Sequence, residues 1–82
     1  MTEMQESDDT RLRAIFQTVF ELSPSRDVAT VRQISEKNWD SLAHATLVAA
    51  IESEFGVSID IAEALEMTSF DATRQILEEK LA

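Results

Sequence analysis

The sequence predicts an all-α fold, a four-helix bundle of three main helices and one short helix with a long first loop. Three observations predict it. Apolar residues recur at three- and four-residue steps in three separate stretches. Material for tight turns is scarce, with one Gly and one Pro in 82 residues, which argues against an all-β architecture. Hydrophobic residues make up 44% of the chain, ample for one core in a chain of single-domain size. Residues 1–9 read as a flexible acidic segment and residues 10–82 as the folded domain.

Met1 to about Ser7 shows no apolar period and carries no basic side chain, so fraying is expected there. Ser7, Asp8 or Asp9 is expected to cap the first helix, where carboxylates suit the positive end of the helix dipole. Leu12, Ile15, Phe16, Val19 and Leu22 then form an apolar stripe, with Arg11, Arg13, Gln17 and Glu21 between them. That helix ends before Pro24, which disfavours helical geometry at Ser23. Ser23 to Asp40 is a long connection for so small a domain, and loops of such length usually act or carry structure of their own. Val28, Val31 and Ile34 are its expected anchors, with one short turn near Thr30–Ile34.

Ser41 to Phe55 is the second helix. Leu42, Ala45 and Ala49 make one apolar stripe and Leu47, Val48, Ile51 and Phe55 another, which predicts a central helix packed on more than one side. Gly56 follows as a left-handed C-cap. After the link Val57–Asp60, the pairing of Asp60 with Glu63 reads as a capping box opening a short helix to about Glu66. Ile61, Ala64, Leu65 and Met67 are its expected inward residues. Thr68 or Ser69 caps the last helix, whose stripe is Phe70, Thr73, Ile76, Leu77 and Leu81, with Asp71 and Lys80 at the dipole-favoured ends.

Charge narrows the function. Seven basic residues stand against 16 acidic ones, a net charge of −9 that repels nucleic acid and anionic membranes. From Asn38 to Thr73 there are seven carboxylates and no Lys or Arg. Such a surface keeps a domain soluble, or it steers basic partners into encounter. No run approaches the roughly 18 apolar residues of a membrane span. No signal-peptide pattern opens the chain. Cysteine is absent, so disulfides and thiolate metal sites are excluded. A cytoplasmic, monomeric protein is expected.

The segment Asn38-Trp39-Asp40-Ser41-Leu42 carries the functional signal. Asp40 is a good N-cap, which places Ser41 at the first helical position with its hydroxyl at the helix mouth. His44 stands three residues on, within reach of one helix face. A hydrolytic pair would also need an orienting acid and an oxyanion hole, and there is no G-x-S-x-G elbow, so catalysis by Ser41 and His44 is rejected. One histidine among dispersed carboxylates offers no zinc spacing, and Asp60 to Glu63 is too short for a calcium loop. Trp39 either packs back on the helix as a hydrophobic staple or offers an aromatic contact to a visiting protein.

At Asp40-Ser41-Leu42 the chain resembles the acyl carrier proteins and the related peptidyl carrier domains. The resemblance spans about residues 10 to 81. It includes the first helix, the long loop, the D-S-L triplet, the run Leu47 to Ile59 containing Ile51-Glu52-Ser53-Glu54-Phe55-Gly56, and the Thr68-Ser69-Phe70 start of the last helix. It implies an acyl-carrier-protein-like bundle, with 4′-phosphopantetheine donated by coenzyme A and attached to Ser41, and Asp40 contributing to recognition by the transferase. Implied partners are a phosphopantetheinyl transferase, acyl- or aminoacyl-activating enzymes and acyl-transfer enzymes, docking on Trp39, Leu42, His44, Val48 and Glu52. A cleft between the second and third helices, lined by Val48, Ile51, Ile59, Leu65 and Met67, is expected to receive the acyl chain; a solid core is the alternative reading of the same residues.

Two departures stand out from the family's pattern. Asn38-Trp39 replaces a usual glycine before the serine, and Ala43, His44 and Thr46 stand where acidic residues are common. A specialised, free-standing carrier is therefore expected, delivering its cargo in lipid, polyketide or related biosynthesis. The alternatives are an aminoacyl carrier of a non-ribosomal-type pathway and a non-covalent acidic interaction module.

Overall fold

A computed structural model describes residues 4–81, and the fraying expected of Met1 to Glu3 falls outside the described residues. The described chain runs through four α-helices, α1 (Glu6–Val19), α2 (Ser41–Phe55), α3 (Ile61–Glu66) and α4 (Phe70–Lys80), with no sheet among them. This is the four-helix bundle with a long first loop that the periodicity predicts.

Helix α1 begins earlier than expected, at Glu6. Residues 6–9, assigned from sequence to a flexible segment, are therefore helical. The cap is Gln5, whose backbone N–H donates to the Asp8 carboxylate at 3.2 Å, rather than Ser7, Asp8 or Asp9. The physical reason is Met4, which is buried in the core and anchors the chain ahead of the helix. Leu12 and Phe16 form the fully buried stripe. At the other end Leu22 N–H returns to Gln17 and Glu21 N–H to Thr18, a paired closure that holds Glu21 at φ +52°. The same left-handed turn after α2 falls on Gly56, at φ +65°, where the lack of Cβ makes it cheap.

The loop from α1 to α2 is pinned at several points. A one-turn 3-10 helix forms at Val28–Thr30, ahead of the predicted position, because the Asp27 carboxylate accepts from Ala29 N–H. Val28 and Val31 are buried as expected, but Ile34 is 93% exposed and anchors nothing. A two-residue antiparallel bridge takes its place: Gln33 N–H donates to Thr68 O at 2.9 Å and Phe70 N–H to Val31 O at 3.0 Å. Near the loop's end the buried Glu36 pairs with Arg26 at 3.0 Å.

Helix α2 is less enclosed than its composition suggested. Only Leu47 and Ile51 are fully buried, while Leu42, Ala45 and Ala49 face solvent. A methyl side chain gains little from burial, so an alanine-rich stripe does not force a neighbour onto itself. Helix α3 has no fully buried residue; Ile61 and Leu65 point outward at 82% and 73% exposure, and Met67 just beyond it enters the core. Four aromatic rings cluster within an otherwise aliphatic core. Phe16 meets Phe20, Trp39 and Phe70 edge-on at centroid distances of 5.4, 5.8 and 5.1 Å, and Trp39 stacks on Phe20 at 4.4 Å. Phe70, Thr73 and Leu77 close it from α4.

Candidate functional site

The site forms where the long loop delivers the chain to α2. Asn38 fixes the approach: its Nδ2 donates to Phe20 O at 2.8 Å, satisfying a carbonyl at the end of α1, and its backbone N–H reaches Glu36. Trp39 follows, only 5% exposed. The expectation that Trp39 contacts a visiting partner is thus corrected, since its ring lies between Phe20 and the helix that follows, in the staple position before the cap. Asp40 caps α2 as predicted, with Oδ1 accepting from Ala43 N–H at 2.8 Å.

Ser41 is the first residue of α2 and exposed. Among the described residues its hydroxyl has no hydrogen-bond partner, and neither do the backbone N–H groups of Ser41 and Leu42. A free hydroxyl beside two unspent N–H groups at the positive end of a 15-residue helix suits an anionic phosphodiester on that oxygen. The chemistry of the donor set thus fits a phosphate-linked group.

His44 is the residue that sequence reasoning placed least well. Its Nδ1 lies 3.0 Å from Trp39 Nε1, and its Nε2 lies 2.8 Å from Ala64 O in α3. An indole N–H only donates, so Nδ1 accepts; Nε2 therefore carries the proton and donates to the carbonyl. Both ring nitrogens are spent on structure, and no base is left for Ser41. His44 is half-buried and ties the loop, α2 and α3 together rather than offering itself to a partner. Glu52 is also occupied, because Oε2 accepts from Ile59 N–H at 2.9 Å and braces the link into α3. Of the expected docking residues, Leu42 stands out from the surface at 77% exposure, and Val48 is half-buried.

The five side chains expected to line a chain-binding cleft do not come together. Ile51 and Met67 are sealed in the core and Leu65 points to solvent. Val48 and Ile59 do share a groove between α2 and α3, about 350 Å³ in volume and bordered by Ser41 and His44. A smaller depression of about 240 Å³ is also bordered by Ser41 and His44, together with Gln33 and Leu65. Sequence reasoning missed Gln33 and the tie from Asn38 to Phe20, and it placed Ile61 and Leu65 inward where both are exposed. A tryptophan two residues before a serine with a histidine three after it was the only available signal for the bond between Trp39 and His44.

Electrostatic perturbation lies away from this site. Hydrogen bonding to Arg13, aided by Arg74, holds the Asp9 carboxyl below its ordinary value. Lys80, followed by the backbone of Asp60, does the same for Glu63. No cluster of three or more metal-ligating side chains occurs among the described residues, and no helix there is long and apolar enough to cross a membrane.

Comparison with curated proteins returned no match. Residues 10–77, which include the whole site, match the family described as "Phosphopantetheine attachment site". The chain therefore belongs to the phosphopantetheine-attachment family: a carrier rather than a catalyst, whose cofactor is 4′-phosphopantetheine and whose partners include a phosphopantetheinyl transferase and client enzymes.

Proposed function

We propose that Ser41 is the attachment residue and that the chain carries an acyl or aminoacyl group as a thioester, delivering it to enzymes of lipid, polyketide or related biosynthesis. The observation that carries this reading is the exposed, unpartnered Ser41 hydroxyl at the capped end of α2. The prosthetic group supplies a flexible arm and the terminal thiol that this cysteine-free chain lacks.

The protein's own residues present the acceptor. Asp40 holds the first turn of α2 in register, and Asn38 and Trp39 fix the direction from which the chain reaches it. In loading, the Ser41 oxygen forms a bond to the phosphorus nearer the pantetheine of coenzyme A. The phosphoanhydride bond breaks and the nucleotide portion leaves. The hydroxyl proton passes to a base of the transferase, because His44 has no free nitrogen to take it. Ile61 and Leu65, exposed in the two depressions that Ser41 borders, form an apolar surface on which client enzymes dock, and the exposed Leu42 adds a second apolar contact on the side of α2 toward α1. Val48 lies deeper in the groove that Ile61 lines. Asp40 also contributes to recognition by the transferase.

The test is direct. The protein is incubated with coenzyme A and a broad-specificity phosphopantetheinyl transferase, and its intact mass is measured. A gain of one phosphopantetheine that disappears in Ser41→Ala is expected. An unmodified wild-type chain would return Ser41 to an ordinary first-turn residue and favour a non-covalent interaction module.

A further inference from the structure

We propose that His44 is a strap sealing the seam between α2 and α3, so that the cargo rides outside the bundle and is a short or polar acyl or aminoacyl group rather than a long buried chain. The inference rests on Ser41 as the attachment residue. Its ground is the position of the imidazole. His44 borders both depressions that touch Ser41, the groove toward Val48 and Ile59 and the hollow toward Leu65. Tied to Trp39 on one side and to Ala64 on the other, the ring bridges α2 and α3 beside Ser41, so a chain pushing from the groove past it toward the core has to displace it.

Displacement breaks two hydrogen bonds at once, from Trp39 Nε1 at 3.0 Å and to Ala64 O at 2.8 Å. The indole N–H would be left without an acceptor on a side chain only 5% exposed, which is the costly way to lose a hydrogen bond. Nothing inside compensates. Beyond the strap, Ile51 and Met67 are 1% and 0% exposed, and the aromatic cluster of Phe16, Phe20, Trp39 and Phe70 leaves ring against ring. The groove is a surface feature with Ile61 and Ala64 on its far wall, so a group resting in it keeps contact with solvent. A long apolar chain left in water carries an unfavourable hydration cost proportional to its area, whereas a short or polar group does not. His44 thus acts as a specificity-determining residue without touching the reacting thioester.

The experiment loads the full chain with acetyl-, alanyl- and octanoyl-phosphopantetheine from the corresponding coenzyme A thioesters. Cleavage by hydroxylamine is timed, and the imidazole ¹⁵N signals of this single histidine are recorded with and without cargo. Cleavage rates of acetyl and octanoyl forms within about threefold of each other are expected, since a reagent meets both in the open. The signals should show Nε2 protonated and Nδ1 bare in the unloaded chain and in all loaded forms. In His44→Leu, which fills the volume but removes both hydrogen bonds, the octanoyl form should become slower than acetyl by more than that margin. Stronger protection of octanoyl in the wild type, or an imidazole signal that moves on octanoyl loading, overturns the strap while leaving Ser41 intact. The opposite tautomer in the unloaded chain also overturns it, a readout that survives if the variant does not fold. A chain that accepts no arm overturns both readings together.

Discussion

The side of α2 turned to α1 and the side turned to α3 are held by different forces. On the first, Leu47 and Ile51 lie shut against Leu12, Phe16 and the rest of the core, and Arg11 of α1 adds a 2.7 Å pair to Glu54 at the far end. On the second, α3 has no fully buried residue and is fastened by polar devices: Asp60 and Glu63 capping each other, Glu63 paired with Lys80 at 2.7 Å, Glu52 bracing Ile59, and His44 reaching Ala64. Hydrophobic burial is non-directional and cumulative, whereas each polar tie holds one distance. The protein has thus put its stability on one side of α2 and its adjustable surface on the other. Ser41 stands at the end of the helix where the two sides meet.

The contrast is broken most severely by Phe16→Ala. Phe16 touches three other aromatic rings and has no exposed surface, so truncation should cost about 3–5 kcal/mol by lost transfer energy and cavity formation. For a domain of this size that approaches the whole folding free energy. Chemical denaturation should find the variant largely unfolded; a midpoint within error of wild type would show that the core does not carry the fold. Next in size is Asp40→Ala, which removes the acceptor of Ala43 N–H and should cost about 1 kcal/mol. Loading of Ser41 should slow as well. Unchanged loading kinetics would reduce Asp40 to a cap alone.

Acid should reach the two sides by separate routes. On the α1–α4 side, hydrogen bonds from Arg13 at 2.7 Å and Arg74 at 3.1 Å hold the Asp9 carboxyl below its ordinary 3.8. A carboxyl with a depressed folded value stabilises fully above its unfolded value, and that contribution is lost as pH falls through the folded one. Glu63 follows the same sign on the α3 side, through Lys80. Both contributions are therefore complete near neutrality and vanish only in strong acid. Asp9→Asn should lower stability at neutral pH by less than about 1 kcal/mol and flatten the acid limb of the melting-temperature profile. An acid limb unchanged in this variant would assign the loss to other carboxylates.

These differences also explain what could be read before the structure was in hand. Caps at Asp40, Asp60 and Ser69, and the left-handed Gly56, depend on partners within four residues, so the local pattern specifies them. The stripes of α1 and α4 were legible for the same reason. Asn38 to Phe20, Arg26 to Glu36, His44 to Ala64 and the bridge of Arg32 with Ser69 join residues ten to 37 positions apart, and no local period encodes them. The placement of Ile51 and Met67 inside, and of Leu65 outside, follows from those same tertiary ties. Position along the chain and the family resemblance had made all three candidates for one cleft. Trp39 was legible as a staple or a partner contact, and the stacking on Phe20, 19 positions away, decides between the two.

The smallest expected effect on stability discriminates best on function. Leu65 is 73% exposed on α3 and faces the hollow that it shares with Ser41. Replacing an exposed leucine removes little buried area, so Leu65→Ser should shift folding stability by no more than about 0.5 kcal/mol. Yet an apolar side chain held in water beside the attachment serine is of the kind that becomes a contact anchor when a partner covers it. Loading by the transferase or transfer to a client enzyme should therefore fall in Leu65→Ser through a raised KM, with folding intact. The matched control is Ile34→Ser, equally conservative for the fold at 93% exposure but set in the neighbouring depression with Arg32 and Thr68, and it should leave KM closer to wild type. If both variants match the wild type, partners do not read the α3 side, and docking shifts to Leu42 and the open stripe of α2.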